Sequence, residues 1–534
     1  MLVASPLRLP PMPAGDVPSH VFRFAESRLE DVVLVDAETE QSFTIGDIIS
    51  TSTRLAAGLS RAGYGGQVVS VFDNTNLRCV YVYYAALLMG GTYQSLGTDA
   101  SAAELRDRIQ KTPTSVVFTT RAYLDRLKEA THNLGIAMYI LDHGFCKCRT
   151  MCAGPDTSAQ CMSFVHQLID DAEFTPVRIT SLDHAMRQPA YLAYVAGSTT
   201  PVTLSHYGML STQRLSSQSL SIGRSSRRTA VSAIPFANSH GIGNIAHYPM
   251  LSGSRVVQLT KGDPAACLAA IERWRSNMLL ATYDVLASIV AVASRIEGKL
   301  MVEGRAYDVG SLDVIFVHEL RGSAADKVRA KLAHLFRARL VELYGFIETG
   351  LVAGIITECP RLPGSVGVLC PSVTARVVNA GRDVDDGDFG EILVSTPRLA
   401  TIGEEARYFS TGDYGTVTQS GVVIVKARLA DLIHMPTGAV VPADIESRLL
   451  DHPAVADCAA VATASSRAVS PCVFIVSSDN CADSADAIVA PLREEFPGIR
   501  ARFVGRIPRC FRGEPDRAAL RDMLAGQAEL QTCH

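Results

Sequence analysis

Short, unbroken apolar runs alternate along this chain with stretches whose apolar residues return every three or four positions. In the first 135 residues, 68–72 and 115–119 are apolar runs of strand length. Around them, 45–59, 81–88 and 102–109 carry helical spacing; Asp47 lies near the start of the first, and Gly90-Gly91 stops the second. Strand, helix and strand with short turns between them imply a parallel sheet covered on both faces. The same reading predicts strands at 190–194, 230–234, 256–259, 314–317 and 340–343, with helices over 265–275 and 324–335. No internal repeat of 20–50 residues is present. Towards the C-terminus the pattern restarts, with strands at 454–462 and 471–476 and a helix over 485–496. This reads as a separate small α/β unit. The expected fold is α/β: a large domain of layered helices and mostly parallel sheets over 1–428, and a small, mobile α/β domain over 429–534.

Composition narrows the function classes. The chain has 534 residues, enough for several domain-sized units with large cores. A net charge of -4 with no basic run argues against nucleic acid. The longest apolar run, 278–293, is broken by Thr282, Tyr283, Asp284 and Ser288, too short and polar to span a bilayer. The proline-rich start lacks the apolar core of a signal peptide, and the last three residues are not the peroxisomal signal, so a cytoplasmic protein is expected. Of the 13 cysteines, Cys146, Cys148, Cys152 and Cys161 crowd together near His143 and His166. They lack the paired C-x-x-C spacing of a zinc site and read as a loop of reduced thiols beside Gly154 and Pro155.

The densest chemistry lies at 407–455. Tyr408-Phe409-Ser410-Thr411-Gly412-Asp413 leads into an apolar strand at 422–425, then Arg428, Asp431 and a helix start at Pro442-Ala443-Asp444-Ile445-Glu446. Order and spacing over this stretch resemble the adenylate-forming superfamily, which holds acyl- and aryl-CoA synthetases, including coumarate–CoA ligases. Three further segments are similar to that family: the loop Gly197-Ser198-Thr199-Thr200-Pro201, the segment Pro235-Phe236-Ala237-Asn238-Ser239-His240-Gly241, and Tyr344-Gly345-Phe346-Ile347-Glu348-Thr349-Gly350.

The resemblance implies a two-step reaction. A carboxylate attacks the α-phosphorus of ATP and expels pyrophosphate; the thiol of CoA then displaces AMP from the acyl-adenylate. It implies ATP/AMP, Mg²⁺ and CoA as cofactors, and a small-molecule carboxylic acid as partner. Ser198, Thr199 and Thr200 would face phosphate oxygens, and Tyr344 with Gly345 would hold adenine. Asp413, with two acceptor oxygens, and Arg428 would take the ribose. Glu348 and Thr199 are the metal-ligand candidates, Glu348 being a hard oxygen donor for a hard cation. His240 and Asn238 would border the acyl pocket, and Ala430 sits at the family's hinge position.

Departures from the family matter as much. The phosphate loop is about three residues shorter than the family pattern and lacks its second glycine and its lysine. Charged residues in Val317-His318-Glu319-Leu320-Arg321-Gly322 replace small ones. The closing motif reads Pro508-Arg509-Cys510-Phe511-Arg512-Gly513-Glu514-Pro515-Asp516-Arg517, with Glu514 where the family places a catalytic lysine. Arg512 is the nearby cation able to replace it. An anion there reverses the sign of the charge interaction with ATP and acid, which is of order 4 kcal/mol at about 4 Å. Two readings follow: an acid–CoA ligase, or a catalytically impaired relative keeping the fold and nucleotide or acyl-adenylate binding, with only the thioester-forming half-reaction intact.

Overall fold

The computed structural model describes residues 2–5, 14–73, 75–141, 162–195, 198–219, 228–236, 241–296, 298–318, 322–354, 362, 364–399, 407–436, 438–463, 469–478, 484–508 and 515–531. Two large sheets dominate them. The seven-stranded sheet runs Val202–Ser205, Pro189–Ala193, Thr92–Ser95, Val68–Phe72, Thr114–Thr119, Ala137–Ile140 and Met162–Phe164. All neighbours pair in parallel except the first two, which form an antiparallel hairpin around residues 194–201. The helix Ile45–Arg61 starts where Asp47 predicted, at a capping box in which Thr44 and Asp47 satisfy each other's backbone N–H at 3.0 Å.

The second sheet has 15 strands and two unlike halves. Its parallel half holds Val32–Asp36, Arg255–Gln258, Thr229–Ser232, Met278–Thr282, Val314–His318 and Arg339–Phe346. Beyond Arg339–Phe346 every pairing is antiparallel, through Gly350–Gly354, Ser365–Leu369, Val422–Arg428, Phe409–Val417, Gly390–Ser395 and Thr374–Asn379. The apolar run 278–293 resolves into a strand and the helix Tyr283–Val292, divided at the polar residues that interrupt it. No helix among the described residues is long and apolar enough to cross a membrane.

The main core fills the space between the two sheets. All ten residues of the helix Cys79–Leu88 are buried there, consistent with its apolar surface on every side. Its Tyr83 meets Tyr84 and Tyr93, and Tyr93 of the smaller sheet in turn meets Tyr191 and Phe236. A second core lies under the other face of the parallel half. There the chain's one tryptophan, Trp274, closes the helix Pro264–Trp274 and packs half-buried against the cluster.

A third core gathers residues from Ile433 to Ile499 around the sheet Val455–Ala462, Pro471–Ser477 and Arg500–Phe503 and the helix Pro442–Leu449. Glu446 of that helix accepts from Ala460 N at 2.9 Å and pairs with Arg517 at 2.8 Å. One predicted element is corrected here. The helix expected over 485–496 stops as α-helix at Val489 and continues only as a 3₁₀ turn, Ala490–Leu492. Pro491 is the reason: its ring clashes with the preceding turn and it has no N–H to donate.

Candidate active site

The seam between the parallel and antiparallel halves carries the strongest cluster. The strand Arg339–Phe346 is fixed to the helix Gly322–Phe336 by an ion pair: Arg329 Nε donates to both Glu342 oxygens at 2.9 Å, and its Nη2 donates to Oε2 at 2.6 Å. Two residues on, the buried Tyr344 hydroxyl donates to Asp413 Oδ2 at 2.8 Å. Arg428 Nη1 lies 3.1 Å from Asp413 Oδ1. Asp413 and Arg428 are direct partners across two antiparallel strands, so the sheet register itself brings them together. Thr411 Oγ1 accepts from Asp413 N at 3.1 Å and donates to Ile392 O at 2.7 Å, fixing the turn into the aspartate.

Asp413 is fully buried. Irregularities in register fall at Tyr344/Gly345 and Tyr414/Gly415, beside both functional side chains. Gly345 is demanded by this geometry: a Cβ there would stand 2.1 Å from Gly350 O. Phe346 lies edge-on to Tyr344, ring centroids 5.4 Å apart, and Phe409 extends the aromatic row.

Glu348 is half-buried in the turn that joins the last parallel strand to Gly350–Gly354. No cluster of three or more His, Cys, Asp or Glu side chains suited to a metal occurs among the described residues. Close to Glu348 lies an arginine that the sequence pattern did not single out, Arg398, from the 3₁₀ turn Pro397–Leu399. Tyr191, Glu348 and Tyr83 act on its charge, and burial brings its guanidinium down to about 10.

The loop residues Ser198, Thr199 and Thr200 sit elsewhere. Ser198 Oγ accepts from Thr200 N at 3.1 Å and donates to Thr200 O at 3.0 Å, a local turn. Thr199 Oγ1 accepts from Lys111 Nζ at 2.6 Å, and Lys111 also pairs with Asp107 at 2.8 Å. Arg108 Nε donates to Ser198 O at 3.1 Å while its guanidinium lies 4.6 Å from the Tyr194 ring. Hydrogen bonds from Lys111 and Thr199 hold the Asp107 carboxyl below its ordinary range. Among the described residues, Ser198 and Thr199 contact the helix Ala102–Lys111 and Thr200 bonds to Ser198; none of these contacts runs to the Tyr344–Asp413–Arg428 cluster. The helix thus places two cations beside a loop that has none of its own. Sequence reasoning missed both, because Lys111 and Thr199 are 88 residues apart.

A further unanticipated residue is His247, at the end of a π-helical stretch, Ile242–His247. It lies within 2.8 Å of the Tyr83 hydroxyl, and burial lowers its pKa to about 3. Such π-turns occur often at functional sites. His240 and Asn238, just before this stretch, lie outside the described residues, as do Arg512, Glu514 and the segment of Cys146, Cys148, Cys152 and Cys161.

A family model described as AMP-binding enzyme matches residues 21–402, most of the chain, and the protein belongs to that family. Its fold is that of the adenylate-forming enzymes. Among its relatives, an acyl-CoA ligase of Alternaria alternata is 23% identical, with 99% of this chain and 99% of the relative covered. A 4-coumarate–CoA ligase of Humulus lupulus is 23% identical, covering 95% and 94%. Among solved structures, ATP-bound MatB from Rhodopseudomonas palustris superposes with a TM-score of 0.78 at 19% identity, covering 95% of this chain and 98% of that one. A benzoate CoA ligase from Burkholderia xenovorans gives 0.75 at 17% identity, covering 95% and 99%.

Proposed function

We propose that this protein is an acid–CoA ligase: it activates a small-molecule carboxylic acid as the acyl-adenylate with ATP and passes the acyl group to CoA. The observation that carries this reading is the buried Tyr344–Asp413–Arg428 cluster, three side chains the family resemblance assigns to the nucleotide, set at the seam of an adenylate-forming fold. Relatives named as acyl-CoA and 4-coumarate–CoA ligases, matched over nearly their whole length, support the substrate class. In this reading Tyr344 and Gly345 flank adenine, and Asp413 and Arg428 take the ribose hydroxyls. Ser198, Thr199 and Thr200 meet the phosphates, backed by Lys111 and Arg108, and His240 borders the acid.

Glu348 is the residue for Mg²⁺, with Thr199 its hydroxyl partner. A single carboxylate suits an ion that takes most of its ligands from phosphates and water. The ion would offset phosphate charge as pyrophosphate leaves. Residues 1–428 form the larger domain and 429–534 the smaller one, joined at Ala430, and the protein works in the cytoplasm.

A second reading is favoured by Glu514 and by the short loop. An anion in place of the family lysine opposes the approach of two further anions, so adenylation suffers more than thioester formation from a ready-made adenylate. The experiment measures pyrophosphate release with ATP, Mg²⁺ and aliphatic and aryl acids, for the wild type and Glu514→Lys. Release by the wild type supports the complete ligase. Release by Glu514→Lys alone supports the impaired relative. Silence from both, together with no thioester from supplied acyl-adenylates and CoA, overturns the ligase assignment.

A further inference from the structure

Arg398 is a half-buried cation that, among the described residues, lacks a full set of partners. Its Nε is sealed from solvent and has no hydrogen-bond partner. Among the described residues its Nη2 reaches only the sulfur of Met209, at 3.4 Å, a weak acceptor. Glu348 is close enough to act on it through its charge, yet no hydrogen bond joins the two. Among the described residues, then, a group with five N–H donors meets no carboxylate face to face. Holding a guanidinium partly out of water in that state is costly, and a perturbed charged group beside a candidate active site is a candidate for ligand binding.

The surroundings are shaped around this side chain. A Cβ at Gly350 would stand 3.1 Å from Arg398 Nη1, and a Cβ at Gly208 would stand 3.2 Å from its Cγ. The glycine on the helix His206–Ser219 thus leaves room for the arginine stem, while Gly350 is held chiefly by its positive φ and by Thr212 Oγ1, 2.4 Å from where its Cβ would stand, with the guanidinium next to both. Apart from Glu348, the neighbours Tyr83, Tyr191 and Met209 are uncharged, so a negative group arriving here would meet the cation in largely apolar and phenolic surroundings and share it with the Glu348 charge. Glu348, placed at the seam with Tyr344, connects this cation to the candidate active site.

We propose that Arg398 is the anchor for an oxyanion of the bound substrate, in the first place the carboxylate of the acid. The planar guanidinium matches a carboxylate with two parallel N–H···O bonds, and low solvent access strengthens them. The inference rests on the ligase reading only for the identity of the ligand; the incompletely partnered arginine is a fact of the chain itself. Arg398 would thereby set both the orientation of the acid and the preference for an acid over its neutral amide.

The test compares the wild type, Arg398→Met and Arg398→Lys by thermal unfolding and by calorimetric binding of benzoate, benzamide, AMP and inorganic phosphate. Without ligand, Arg398→Met is expected to melt at the same temperature or higher, since no ion pair is broken and a half-buried charge is removed. Benzoate binding should fall by roughly 10- to 100-fold, the loss expected for a charge-assisted bond, while benzamide is unaffected. Arg398→Lys should keep part of the preference for benzoate. Loss of AMP or phosphate binding instead, with benzoate unchanged, keeps the oxyanion site and assigns it to the nucleotide. A clear drop in melting temperature in Arg398→Met with oxyanion binding intact would mean a structural arginine and overturn the proposal. So would identical responses of wild type and Arg398→Met to every oxyanion tested. Pyrophosphate release, measured separately, decides the ligase reading without touching this result.

Discussion

Removing one oxygen, in Tyr344→Phe, separates the two jobs that the Tyr344–Asp413 contact combines. The hydroxyl donates at 2.8 Å to a carboxylate that has no exposure to water. The substitution leaves Asp413 Oδ2 short of a donor while Arg428 stays at 3.1 Å from Oδ1. A hydrogen bond to a charged group contributes about 1.5–3 kcal/mol, and no water reaches the site to replace it. The ring remains, so its packing against Phe346 and any stacking on adenine persist. The melting temperature should therefore fall by a few degrees. AMP affinity should stay within about threefold of wild type, because the ring that would stack on adenine and the Asp413–Arg428 pair both remain. Differential scanning calorimetry and AMP titration read the two effects on one sample. A loss of AMP affinity beyond about 30-fold, roughly 2 kcal/mol, would refute the reasoning, since the hydroxyl itself would then be a nucleotide ligand.

Other consequences are equally concrete. Gly345→Ala forces a methyl to within 2.1 Å of a backbone oxygen and should cost about 1–3 kcal/mol, seen as a lower denaturation midpoint together with weakened AMP binding. Arg329→Ala removes the bidentate partner of the buried Glu342 and should destabilise by about 3–5 kcal/mol in urea unfolding; a loss below about 1 kcal/mol would show that another group or water compensates the carboxylate. His247 and His206 are held neutral by burial, with pKa values of about 3 and about 4. Both lie below the ordinary histidine value, so the unfolded chain binds more protons in this range. Each histidine's contribution is complete above about pH 6.5 and is lost as pH falls towards the folded value, by up to about 1.4 kcal/mol per pH unit. His247→Gln should flatten the slope of stability against pH between about 4 and 6.5, and an unchanged slope would contradict its burial as a neutral ring.

Much of the layer structure was legible because the chain repeats simple periods. The strand 68–72 matches the observed element residue for residue, and the helix predicted over 45–59 ends two residues late. The antiparallel half was legible only in part: its strand at 422–425 is a continuous apolar run, but Phe409–Val417 carries Ser410, Thr411, Gly412 and Asp413 in its first half and shows no such run. At the site, Tyr344, Asp413 and Arg428 could be named because the nucleotide residues cluster in two contiguous motifs. Lys111, His247 and Arg398 could not, because each acts on partners distant in sequence: 88 residues for Lys111 and Thr199, 164 for His247 and Tyr83, 189 for Arg398 and Met209. Only packing brings such pairs together.

Trp274 is the chain's one tryptophan, and it lies in the core beneath the parallel half of the large sheet. Indole emission therefore reports on that layer and is silent about the third core, around Ile433 and Val473. Far-ultraviolet circular dichroism sees both. If the two signals trace different transitions during unfolding, the small C-terminal unit melts on its own, and a single fluorescence midpoint would describe only part of the molecule.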